Sequence, residues 1–147
     1  MNNHETNRKG RMIVEAELLR RGASFVTPAG TQKVLLHVTN SDGNRTVIIK
    51  VKAKQKENWH SSIGEGKPAK KVPENESNFW VFVDLSDVPK FWVVPDWWIR
   101  NDIYQTHEQY LKEHGGHRPV NDDSDHHRIE ESRLEEWQGK WEILKIF

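Results

Sequence analysis

Two alternating segments around one tight turn constrain this chain more than any other feature. Along residues 33–39, Val34, Leu36 and Val38 point one way, and Lys33, Leu35, His37 and Thr39 point the other. Ser41-Asp42-Gly43-Asn44 follows, a strong hairpin turn. The return segment, Arg45 to about Lys54, sets Val47, Ile49, Val51 and Ala53 on one face and Ile48, Lys50, Lys52 and Lys54 on the other. One face of such a hairpin must be covered, and a sheet with helices packed on it is the natural solution.

The rest of the chain supplies the covering elements. Met12, Ile13, Ala16 and Leu19 share a stripe, widened by Val14 and Leu18, and predict a helix from about Gly10 to Arg21 that ends at Gly22. Residues 1–9 are polar and are expected to be a flexible N-terminus, leaving 10–147 as a single domain. Ser24 to Thr27 reads as a short strand. Residues 55–77 are polar, with Gly64, Gly66, Pro68 and Pro73, and read as a long loop anchored by Trp59. Phe79–Leu85 and Lys90–Val94 are nearly continuous apolar runs, as in strands covered on both faces. Pro95 opens a helix to about Glu113, closed by Gly115 and Gly116. A loop rich in His and Asp spans 117–128. A short acidic helix follows from about Glu130, and Trp137, Trp141, Ile143, Leu144 and Ile146 seal the end. The expected fold is α/β: a mixed sheet of about five strands, in the order helix, three strands, loop, two strands, helix, with flanking helices.

Composition narrows the function classes. Lys plus Arg number 22 and Asp plus Glu 22, which excludes a surface that is cationic all over. Charge must act locally. With Cys at 0, disulfides and thiolate metal sites are excluded and a reducing, cytoplasmic setting is expected. No apolar run approaches the roughly 18 residues of a membrane span, and the first ten residues have no apolar signal core.

The basic stretch 45–56 carries Arg45, Lys50, Lys52, Lys54 and Lys56 with no acid among them. It reads either as a phosphate-binding strand face, with Arg11 and His37 beside it, or as a solvated face that keeps a strand from aggregating. His107, His114, His117, His126 and His127 lie near Asp122, Asp123 and Asp125, but their spacing matches no zinc signature and reads as polar surface. Trp97-Trp98 and Trp137 with Trp141 read as core packing, with base stacking as the sharper option. The acidic stretch Asp122 to Glu136 opposes the basic hairpin in sign and is a candidate to pair with it.

Gly10 to Gly22, Ile49-Lys50-Val51-Lys52, Phe79-Trp80-Val81-Phe82-Val83 and Phe91-Trp92-Val93-Val94-Pro95 together resemble small bacterial or phage members of the PD-(D/E)XK nuclease superfamily, the restriction-endonuclease-like fold. His107, Gly115-Gly116-His117-Arg118-Pro119 and the closing Trp137 and Trp141-Glu142-Ile143-Leu144 extend the resemblance. It implies a Mg²⁺ site: Asp on the second strand, Glu or Gln on the third, then Lys on the same face, often with Glu on the first helix. At those positions stand Leu35, Lys50, Lys52 and Arg11. Only Lys52 keeps the pattern. The resemblance therefore implies a nuclease fold with a degenerate active site, no metal ligand and no expected cofactor. It would bind DNA or RNA through Arg11, Lys50, Lys52 and Lys54 without hydrolysis. Two alternatives stand beside this. One is an active Mg²⁺-dependent DNA endonuclease with displaced acids, such as Glu15, Glu17 or Asp84, and Lys52 as catalytic lysine. The other is a non-catalytic protein-interaction subunit using the Trp-rich end. A homodimer is compatible with each.

Overall fold

The computed structural model describes residues 2–28, 35–116 and 126–147. In chain order it contains α1 (Asn3–Arg20), β1 (Phe25–Pro28), β2 (Leu35–Thr39), β3 (Thr46–Lys54), β4 (Trp59–Ser62), β5 (Asn78–Asp84), β6 (Lys90–Pro95), α2 (Asp96–Glu113) and β7 (His126–Ile129). Short 3-10 turns cover Ile63–Glu65, Glu131–Trp137 and Trp141–Leu144. The fold is α/β. Its main sheet has five strands in the order β1-β2-β3-β5-β6; β3 and β5 run parallel and the other pairs antiparallel. A separate two-stranded ribbon pairs β4 with β7. No helix among the described residues is long and apolar enough to cross a membrane.

The strand period divides the side chains between two cores. Val47, Ile49 and Val51 face α1, where Val14 and Leu18 meet them, and Trp141, Leu144 and Ile146 close that layer. On the other face, Trp80, Phe82, Trp92 and Val94 pack with Trp59, Ile99, Ile103, Ile129 and Leu134. Register also builds rows across the second face: Leu35, Lys50, Trp80 and Val94, then Lys52, Phe82 and Trp92, then Lys54, Asp84 and Lys90. The hairpin turn forms as expected, with Gly43 at φ 72°.

Four sequence expectations change. The first helix begins at Asn3, not Gly10, because the Asn2 side chain caps it by accepting the Glu5 N–H at 2.8 Å. Its buried stripe is Thr6, Gly10, Val14 and Leu18, while Met12, Ala16 and Leu19 are exposed. Gly10 is needed there, since a Cβ would collide with Ala53. Residues 55–77 are not loop throughout: they hold β4 and the turn Ile63–Glu65. Residues 126–128, expected in a loop, belong to β7, and residues 117–125 lie outside the described residues. The acidic helix is a 3-10 turn from Glu131 to Trp137.

Candidate functional site

The charged face of β3 carries an ion cluster at its centre and borders a cleft at its C-terminal end. At the centre, the turn Ile63–Glu65 folds back over Lys50. Lys50 Nζ lies 2.8 Å from Glu65 Oε1 and 4.7 Å from the centre of the Trp80 ring. Arg100 completes the cluster. Its Nη1 donates to Glu65 Oε2 at 2.7 Å, and its Nε donates to both Asp96 oxygens at 2.9 Å. Trp80 Nε1 donates to Asp96 Oδ1 at 2.7 Å. Burial pulls the Glu65 carboxyl upward, but the bonds and charges of Lys50 and Arg100 outweigh it and hold it below the usual carboxylate range. The segment lies this close to α2 because residue 66 is glycine: a Cβ would sit 3.0 Å from the Tyr104 nitrogen.

Lys52 and Lys54 stand one and two pleats further on. Lys52 Nζ donates to the His60 carbonyl at 3.2 Å. Partial burial, then the charge of Lys50, push its ammonium down to about 8 against the smaller opposing pull of Glu65. Lys54 Nζ donates to the Glu57 carbonyl at 2.9 Å, sits 4.6 Å from the Trp59 ring centre, and lies 3.7 Å from Asp84 Oδ2. Burial raises the Asp84 carboxyl, and the Ser86 N–H with Lys54 and Lys90 bring it below its ordinary value. Trp59 fixes this end: its Nε1 donates to the Val83 carbonyl at 3.1 Å, and its ring packs edge-on against Phe82 and Trp92.

Beyond these contacts opens a cleft of about 800 Å³ between the first turns of α1, the end of β3 and the β4–β7 ribbon. Lys52, Lys54 and Lys56 line it with His60 and His126, and Asn3 and Asn7 of α1 line it as well. Glu57 is the one carboxylate residue lining it among the described residues. The cleft thus has excess positive charge and many neutral donors, which suits an anion with several oxygens.

The predicted site residues divide accordingly. Lys52 and Lys54 come together in the cleft. Lys50 does not line it, and its ammonium is engaged by Glu65. Arg11 does not line the cleft. It belongs to α1, which packs on the opposite face of β3, and its Nε is 3.5 Å from Glu15 Oε1. His37 is exposed on the lysine face, one strand away. Arg45 holds the chain together instead of facing a ligand, donating to the carbonyls of Leu144 and Glu76 at 2.9 and 2.8 Å.

The donor set does not fit Mg²⁺. Leu35 and Lys50 are direct cross-strand partners, so an alkyl group and an ammonium stand side by side where two oxygen ligands would be needed. Nearby Glu65 and Asp96 are clasped by Lys50 and Arg100. The alternative acids are also engaged: Glu15 by Arg11, Glu17 by Arg20 and Arg21, and Asp84 by Lys54. Among the described residues no group of three His, Cys, Asp or Glu is arranged to hold a metal. His107 and His114 flank Tyr110 on α2, whereas His117, Asp122, Asp123 and Asp125 lie outside the described residues. The acidic stretch does not reach the hairpin where described: Glu130 pairs with Arg128 and Arg133.

Sequence reading missed Glu65, Asp96 and Arg100. The four-residue spacing of Asp96 and Arg100 on a helix was the available signal; Glu65 offered none, being fifteen positions from Lys50. His60 and His126 were missed as cleft residues because their strands are too short to show a period. Comparison of the chain with known protein families, with curated proteins and with solved structures gives no match.

Proposed function

We propose that this chain binds nucleic acid in the cleft at the end of β3 and does not hydrolyse it, as a PD-(D/E)XK-like protein with a degenerate active site. One observation carries the reading: Lys52, Lys54 and Lys56 line one cleft in which cations outnumber the carboxylates, Glu57 in the lining and Asp84 paired with Lys54. A nucleic-acid backbone is the common ligand for such a row, since each ammonium replaces a condensed counterion at a phosphate. An α/β fold with a mixed sheet is compatible with the restriction-endonuclease-like core that the sequence resemblance implies. The absence of hydrolysis follows from the donor set. Lys50 beside Leu35 repels a divalent cation, and the surviving Lys52 has no metal-bound water to orient.

Titration of a short labelled single strand and a short duplex, followed by fluorescence anisotropy across a salt series, tests this. Binding at low salt with a steep salt dependence is expected. Replacing Lys54→Glu together with Lys56→Glu should weaken it tenfold or more and flatten the salt slope by about 1 to 2. Unchanged affinity in that variant removes the proposal.

A further inference from the structure

A second basic cleft lies toward the opposite end of the lysine face. We infer that it is a stacking subsite for an unpaired base of single-stranded nucleic acid, with Trp97 as platform and Lys67, Lys70 and Lys71 as phosphate contacts. The cleft measures about 640 Å³, and Arg100 and Asp96 also line it. These two engage each other at 2.9 Å, so the charge offered to a ligand is that of the three exposed lysines.

Trp97 and Trp98 have diverged in use. Consecutive helical residues point about 100° apart. Trp98 packs against the second core and meets Trp137 edge-on at 5.5 Å. Trp97 is half-buried and lines the cleft, and among the described residues no ring or cation stacks on it. The lysines are mounted on a backbone tied to the same helix: Lys67 N–H donates to the Arg100 carbonyl and Ala69 N–H to Asn101 Oδ1, both at 3.0 Å. The start of the lysine-bearing segment is therefore tied to the helix that carries Trp97.

An indole and three ammonium groups lining one cleft match a base and its phosphates. An acidic peptide would satisfy the lysines and leave the ring unused. A duplex keeps its base faces inside the stack, so the platform selects unpaired bases. Asn78, which also lines this cleft, is in register with Ile48, whereas Lys54 lines the first cleft. The six intervening steps of β3 span about 20 Å. The inference rests on the reading that the chain binds nucleic acid, but through different residues at a different place.

The experiment is anisotropy at low salt with a short labelled oligothymidylate and a short labelled duplex. Trp97→Ala should weaken the single strand about 5- to 100-fold and the duplex by less than about twofold. Trp97→Phe, which keeps a ring, should recover most of the loss. Lys70→Glu with Lys71→Glu, at exposed positions, should weaken single-strand binding and reduce its salt dependence even if Trp97→Ala fails to fold. Unchanged single-strand affinity in Trp97→Ala, or an equal loss on the duplex, overturns the subsite, as does a polyglutamate peptide that competes as well as the oligonucleotide. If Lys54→Glu with Lys56→Glu weakens binding and the Trp97 variants do not, the first cleft stands and this one falls. If neither nucleic acid binds, both fall.

Discussion

The two faces of β3 arise from alternate residues of one nine-residue strand, yet different forces hold them. Val47, Ile49 and Val51 are buried against α1 in a layer whose strength is area removed from water. Ile48, Lys50, Lys52 and Lys54 remain half-buried, and each ammonium is placed by a partner of its own: Glu65, the His60 carbonyl, or the Glu57 carbonyl. The apolar face has one task, to be filled. The charged face is clasped by Glu65 at Lys50, whereas Lys52 and Lys54, the latter paired with Asp84, line the cleft at its end. A basic strand face is thus not one surface, and lysines two residues apart differ in what they can bind.

The largest expected difference between the faces is in stability. Ile49→Ala should lower the unfolding free energy by about 2–5 kcal/mol, measured by urea denaturation. Lys50→Met should cost about 1 kcal/mol or less, because Arg100 still holds Glu65. Equal losses would show that the ion cluster is as structural as the core.

The next largest effect concerns Lys52 and pH. Its ammonium is charged below about pH 8 and discharged above it, so affinity for a polyanion should fall several-fold between pH 7 and 9. Lys52→Arg stays charged across that range and should flatten the profile. Stability moves the other way. The unfolded amine, with a pKa near 10.5, holds its proton where the folded one has lost it, so unfolding free energy should rise with pH between about 8 and 10.5. A wild-type stability profile flat over that window would separate the amine from its burial.

The smallest effect belongs to Glu65. Its carboxyl is held below 4.5, so its pairing with Lys50 and Arg100 contributes above that value and is lost as pH falls through the lower folded pKa. Glu65→Gln should make the acid limb of a thermal-stability profile shallower, by less than about 1 kcal/mol.

The sheet was legible because its period is long and clean: the alternation about Gly43 and the apolar runs of β5 and β6 could serve no other element. The first helix was legible in place but not in face. Its buried stripe uses Thr6 and Gly10, which carry no hydrophobic signal, while the more apolar Met12 and Leu19 are outside. Strand β4 escaped notice because four residues, Trp-His-Ser-Ser, show no period and pair with a segment far along the chain. That Lys52 and Lys54 share a face was legible because the strand period alone puts them together. Glu65 and Arg100 were not, since only the folding back of residues 63–66 brings them to Lys50.

Prolonged incubation of labelled single-stranded and duplex DNA with an excess of the protein in Mg²⁺ or Mn²⁺, resolved on a denaturing gel beside a binding titration of the same samples, is the most direct measurement. Strands that are bound and remain full length are expected. Fragments that accumulate with the divalent ion and vanish in Lys52→Ala would contradict a cleft that holds nucleic acid without cutting it.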